Sequence, residues 1–90
     1  MVSKANEIVQ IAPELIWREV DENTVIVSPE DGDVVVLSTT GSVIWKMLAD
    51  KKGVNEIETC LVNDYIVSVE EAKRDIQQFI QDLRQAGFLR

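Results

Sequence analysis

Of the side chains that ordinarily carry bond chemistry, this sequence offers one thiol, Cys60, a generous supply of carboxylates and no imidazole at all. Without histidine the chain lacks the group that titrates nearest neutral pH and the commonest metal ligand. Cys60 lies on the apolar side of a helix-like run, where a free cysteine ordinarily packs into a core. A nucleophilic thiolate needs a cationic neighbour, and the nearest charges here are Glu56, Glu58 and Asp64, which raise a thiol's pKa instead. Glu70, Glu71, Asp75 and Asp82 recur at the spacing of a solvated helix face. Neither a Gly-x-Gly-x-x-Gly turn nor a phosphate loop occurs. The expectation is a chain with no catalytic centre, metal site or cofactor of its own.

What remains is recognition by the backbone, and one stretch stands out for it. Asp33-Val34-Val35-Val36-Leu37-Ser38-Thr39-Thr40 holds four consecutive apolar residues, three of them β-branched, which favours a strand. Val34 and Val36 share one face and Val35 and Leu37 the other, so neither face is polar; covers on both are expected, or one cover that arrives later. Thr39 or Thr40 is expected to cap a following helix. Two strands precede this one, over residues 15–20 and 24–28, joined by the turns Asp21-Glu22-Asn23 and Pro29-Glu30-Asp31-Gly32. Short turns join adjacent antiparallel strands, so the three form a meander with residues 34–38 at an edge. Residues 1–7 are polar and expected to fray; residues 8–13 form an irregular or partly extended lead-in, expected to lie across the sheet.

From Gly41 the apolar spacing becomes helical. Val43, Ile44, Met47 and Leu48 mark a first helix closed by Lys51-Lys52-Gly53, and Asn55 caps a second carrying Ile57, Cys60 and Leu61. Ser68 with Glu71 matches a capping box and opens the third and longest, with Val69, Ala72, Ile76, Phe79, Ile80, Leu83 and Ala86 on one face and Gly87 at its end. The expected fold is one α+β, winged-helix-like domain over residues 1–90, a three-stranded antiparallel sheet followed by three helices.

Composition limits the partners. The chain has 90 residues, 46% of them hydrophobic and 28% charged, as a small globular domain does. A net charge of -7 argues against nucleic-acid or anionic-membrane affinity. No apolar run approaches a membrane span, the start lacks a signal-peptide pattern, and a lone cysteine fits a reducing cytoplasm. The second helix would enter a major groove in a DNA-binding reading, yet it carries three carboxylates and no lysine or arginine.

On the third helix, with Ile76 as origin, Lys73, Gln77, Ile80 and Arg84 fall on one flank at roughly +40° to +100°, opposite Glu71, Asp75 and Asp82. The expected site is therefore a groove between this basic shoulder and the free edge of the third strand, where a peptide adds as a further strand. Homodimerisation or strand exchange through the same edge is the structural rival.

These runs resemble a known family. Ser28-Pro29-Glu30, Val35-Val36-Leu37-Ser38-Thr39-Thr40-Gly41, Val43-Ile44-Trp45-Lys46-Met47-Leu48, Val54-Asn55-Glu56-Ile57, Val69-Glu70-Glu71, Phe79-Ile80-Gln81-Asp82-Leu83 and Ala86-Gly87-Phe88-Leu89 follow the order and spacing of the PqqD-like proteins, the RiPP recognition elements. The resemblance spans residues 13–89; Ser38 departs from it, where many relatives carry asparagine. It implies a non-catalytic module that binds the leader segment of a ribosomally made precursor peptide, by strand addition to the third strand and packing on the third helix. Carried onto this chain, the strand positions are Val34, Val35, Val36, Leu37 and Ser38; the helix positions, from the wheel, are Lys73, Ile76, Gln77, Ile80 and Arg84. The partners implied are the leader peptide and a maturation enzyme. A free-standing chain of this length is similar to the leader-binding proteins of lasso-peptide pathways, which work with a cysteine protease. It is also similar to the peptide chaperone of pyrroloquinoline quinone synthesis, which serves a radical SAM enzyme.

Overall fold

The computed structural model describes residues 7–65 and 67–90. Three strands, β1 (Ile16–Val20), β2 (Asn23–Val27) and β3 (Val34–Leu37), precede three helices, α1 (Thr39–Ala49), α2 (Val54–Tyr65) and α3 (Val69–Gln85). This is the α+β order the alternation and the turns imply. The sheet is antiparallel in the order β1-β2-β3, with Trp17 opposite Ile26 and Ile26 opposite Val35. The β1–β2 turn places its left-handed residue at Asp21 (φ 57°), and Gly32 (φ 73°) serves the second turn.

Three boundaries move, each for a local reason. Ser38 leaves β3 and caps α1, its Oγ accepting the Gly41 N–H at 3.1 Å, so the cap falls one residue before the threonines. α1 closes at Asp50, and left-handed Lys51 (φ 63°) turns the chain before Gly53 is reached. α2 begins at Val54 and not behind an Asn55 cap: the Glu56 side chain accepts the Gly53 N–H, and the Val54 N–H donates to the Glu7 carbonyl. α3 starts as its capping residues imply, with Ser68 Oγ accepting the Glu71 N–H at 3.1 Å. It ends at left-handed Gly87 (φ 84°), where the Phe88 N–H returns to the Leu83 carbonyl.

The core lies between the inner sheet face and the helices. Ile26, Ile44, Trp45, Ile57, Leu61 and Ile76 are fully buried there, and Trp17 meets Trp45 edge-on with ring centroids 6.0 Å apart. Only one sheet face is covered. Leu37 is buried and Val35 half-buried, whereas Val34 and Val36 are 60% and 64% exposed beside exposed Ile16 and Val20. The expected second cover is absent among the described residues.

The lead-in is partly extended and pairs with the C-terminal tail. Ile11 forms a bridge with Leu89, the Ala12 N–H donates to the Phe88 carbonyl, and the Arg90 N–H donates to that of Gln10. Residues 1–6, where fraying is expected, lie outside the described residues; Glu7, the last of that stretch, receives the Val54 bond.

Ile76, expected to touch a guest, instead has no exposed surface and belongs to the core between α3 and its neighbours. Truncating it to alanine should lower unfolding free energy by about 2–5 kcal/mol in a denaturant titration, whereas Val36→Ala should change it far less.

Candidate peptide-docking edge

In an antiparallel ladder, residues alternate between those bonded to the neighbouring strand and those whose N–H and C=O point away from it. The Ser28 N–H donates to the Asp33 carbonyl at 2.9 Å, which sets the phase of the β2–β3 ladder. Counting from that pair through the register, Val35 and Leu37 bond inward to Ile26 and Thr24, and Val34 and Val36 direct their backbone groups to the open side. The Leu37 carbonyl also receives Asn23 Nδ2 at 2.8 Å, which ties the end of β3 to β2. Among the described residues no strand pairs with the outer side of β3.

The flank of α3 next to this edge is marked by Phe79. A Cβ built on Gly41 would lie 3.2 Å from the Phe79 ring and 3.5 Å from Leu37 Cβ, so the half-buried ring rests at the junction of β3 and α1. On the helical wheel Phe79 sits at roughly −60° from Ile76, with Asp75 and Asp82 at about −100° and −120°. The basic shoulder is on the far side. Gln77, Ile80 and Arg84 line an open cleft of about 530 Å³ with Glu7 and Val54. There Arg84 lies 3.6 Å from the Glu7 carboxylate and donates to the Arg90 carbonyl at 3.3 Å.

The structure thus divides the ten expected site residues. Val34, Val36 and exposed Ser38 lie along the open edge; Val35 and Leu37 belong to the same strand but turn inward to the core. Gln77, Ile80 and Arg84, and Lys73 by its place on the wheel, belong to the flank facing α2 and the lead-in, and Ile76 to the interior. The wheel alone separates the two flanks but says nothing of which one faces β3. Phe79 is the residue that sequence reasoning assigned to the core alone. The available signal was Gly41, a residue without a side chain just past the strand, which makes room for a ring.

Elsewhere the chemistry is sparse. Lys46 Nζ bonds Glu19 Oε2 at 2.7 Å on the surface between α1 and β1, and this hydrogen bond holds the lysine pKa above its usual value. Cys60 is not packed in the core as expected: it is half-buried at the margin of α2, its thiol donating to Asp64 Oδ2 at 3.3 Å. Partial burial, then the bond to the Asp64 carboxylate, push its pKa up. Among the described residues no cluster of three or more metal-ligating side chains occurs, and no helix is long and apolar enough to cross a membrane.

The model of a protein family described as coenzyme PQQ synthesis protein D (PqqD) matches residues 23–89. The chain belongs to the PqqD family. Two solved structures share the fold of this PqqD-family chain. One, TbiB1 in complex with the TbiA(beta) leader peptide, is 25% identical with a TM-score of 0.86, over 89% of this chain and 93% of that one. The other, lasso peptide synthetase B1 complexed with the leader peptide, is 23% identical with a TM-score of 0.87, over 93% and 99%. The search of curated proteins found no match. The resemblance noted in the sequence, and the winged-helix-like fold it implies, both hold.

The raised thiol pKa leaves Cys60 a poor nucleophile. Alkylation by iodoacetamide at pH 8 should run slower than for an unperturbed thiol, and Asp64→Asn should speed it by lowering the pKa.

Proposed function

We propose that this PqqD-family chain is a non-catalytic binder that captures the leader segment of a ribosomally made precursor peptide and presents it to a maturation enzyme. The guest adds as an antiparallel strand along β3, pairing with the outward backbone groups of Val34 and Val36 and lying beside the Phe79 flank of α3. The observation that carries this reading is that no described residue pairs with the outer side of β3, in a fold shared with two proteins solved with leader peptides bound. The acidic α2 supports a peptide guest over DNA.

The pathway we favour is lasso-peptide maturation, with a cysteine protease as the enzyme, in the cytoplasm. The structure described as lasso peptide synthetase B1 with its leader peptide supports this; the family's own description keeps PQQ synthesis as the second reading. The enzyme needs a surface the guest does not occupy. The outer sheet face supplies one: Ile16, Val20, Val34 and Val36 are exposed together and form an apolar face without a cover among the described residues.

Two measurements test this. Val36→Pro removes one outward donor and leaves the β2 ladder whole, so affinity for a labelled leader should fall about tenfold or more while circular dichroism is unchanged. Val35→Pro removes an inward donor and should unfold the sheet. Unchanged affinity in folded Val36→Pro would refute strand addition. Separately, Ile16→Asp should preserve leader binding and slow leader cleavage by the partner protease roughly tenfold; equal cleavage would remove the outer face from the docking surface.

A further inference from the structure

We infer that the captured segment is basic: a strand that seats an apolar side chain against Phe79 and sets lysine or arginine opposite Asp75 and Asp82. The inference rests on the strand-addition reading and specifies what that groove selects.

Of the three cations on α3, Lys73 and Arg84 belong to the flank away from β3, with Arg84 engaged there by Glu7 and the Arg90 carbonyl, and exposed Arg74 falls at roughly +160° on the back of the helix. The flank carrying Phe79 has exposed Asp75 and Asp82 one turn to either side of the ring. Gln78 Nε2 donates to Asp82 Oδ1 at 2.9 Å, which orients that carboxylate and leaves its charge in place. At the start of the edge, the turn leading into β3 contributes exposed Glu30, Asp31 and Asp33. A guest on this edge therefore meets carboxylates on the α3 flank and at the end of the strand, in a chain of net charge -7. These groups repel an acidic guest, and a second copy of this chain carries the same carboxylates.

Strand geometry sets the pattern. Inward-facing guest positions recur every second residue, about 6.6 Å apart, on the side where Leu37 and the Phe79 ring lie. Asp75 and Asp82 are separated by about 10.5 Å along α3. An apolar residue with a cation two positions before and after it spans about 13 Å, and the length of lysine and arginine side chains absorbs the difference. The preferred motif is basic-x-apolar-x-basic.

The test uses a phage-displayed library of random dodecapeptides panned on the immobilised full chain, in parallel with folded Val36→Pro and with Asp75→Asn/Asp82→Asn, whose exposed sites leave the core untouched. Expected are clones rich in lysine or arginine flanking an apolar residue, lost on Val36→Pro and weakened about two- to tenfold on the double variant. Clones lost on Val36→Pro but without a basic bias overturn this inference and leave strand addition standing. Clones insensitive to Val36→Pro, or no enrichment over an unrelated protein of equal charge, overturn both.

Discussion

Among the described residues the backbone ladder of β3 runs to one side only, and the proposed site depends on that. An open edge is a liability, because its unpaired donors and acceptors template further strands. Here β3 is four residues long and the turn before it is rich in carboxylates. The lead-in bonds to the C-terminal tail, through the Ile11–Leu89 bridge and the bonds between Ala12 and Phe88 and between Gln10 and Arg90. That pairing satisfies backbone groups of both segments away from β3.

The second dependence is the close approach at Gly41. Because that residue has no side chain, the Phe79 ring can settle where β3 passes into α1, which brings one flank of α3 to the mouth of the edge. Ser38 fixes the same corner by capping α1 immediately after the strand ends. Behind it, Trp45 packs against Trp17 and holds α1 to the inner sheet face. Edge, corner and helix flank are thereby parts of one rigid junction, and a groove built on it is set before any guest arrives.

The charges of the molecule sort by flank more than by element. On α3, Lys73 and Arg84 share the flank where Glu7 meets Arg84, and Asp75 and Asp82 flank Phe79. On the sheet, acids cluster in the turns while the outer face is apolar apart from Arg18 and Asn23. A single small domain so presents two kinds of surface, an acid-lined edge and an apolar face, and these suit different partners.

The three strands, three helices, their order and the edge position of β3 were legible in the residues, because alternation, turn chemistry and capping are local and each agreed with the others. The lack of histidine is likewise read from composition alone. The phase of the β3 ladder was not legible, because it depends on which cross-strand pair bonds, here Ser28 with Asp33. The open outer sheet face was hidden for a related reason: four apolar residues in a row look the same with two covers as with one. Nor could the helical wheel say which flank of α3 meets β3. A wheel records angles within one helix, whereas the facing of that helix is set by packing between elements distant in sequence. Only the folded chain, with Phe79 over Gly41 and Arg84 beside Glu7, decides it.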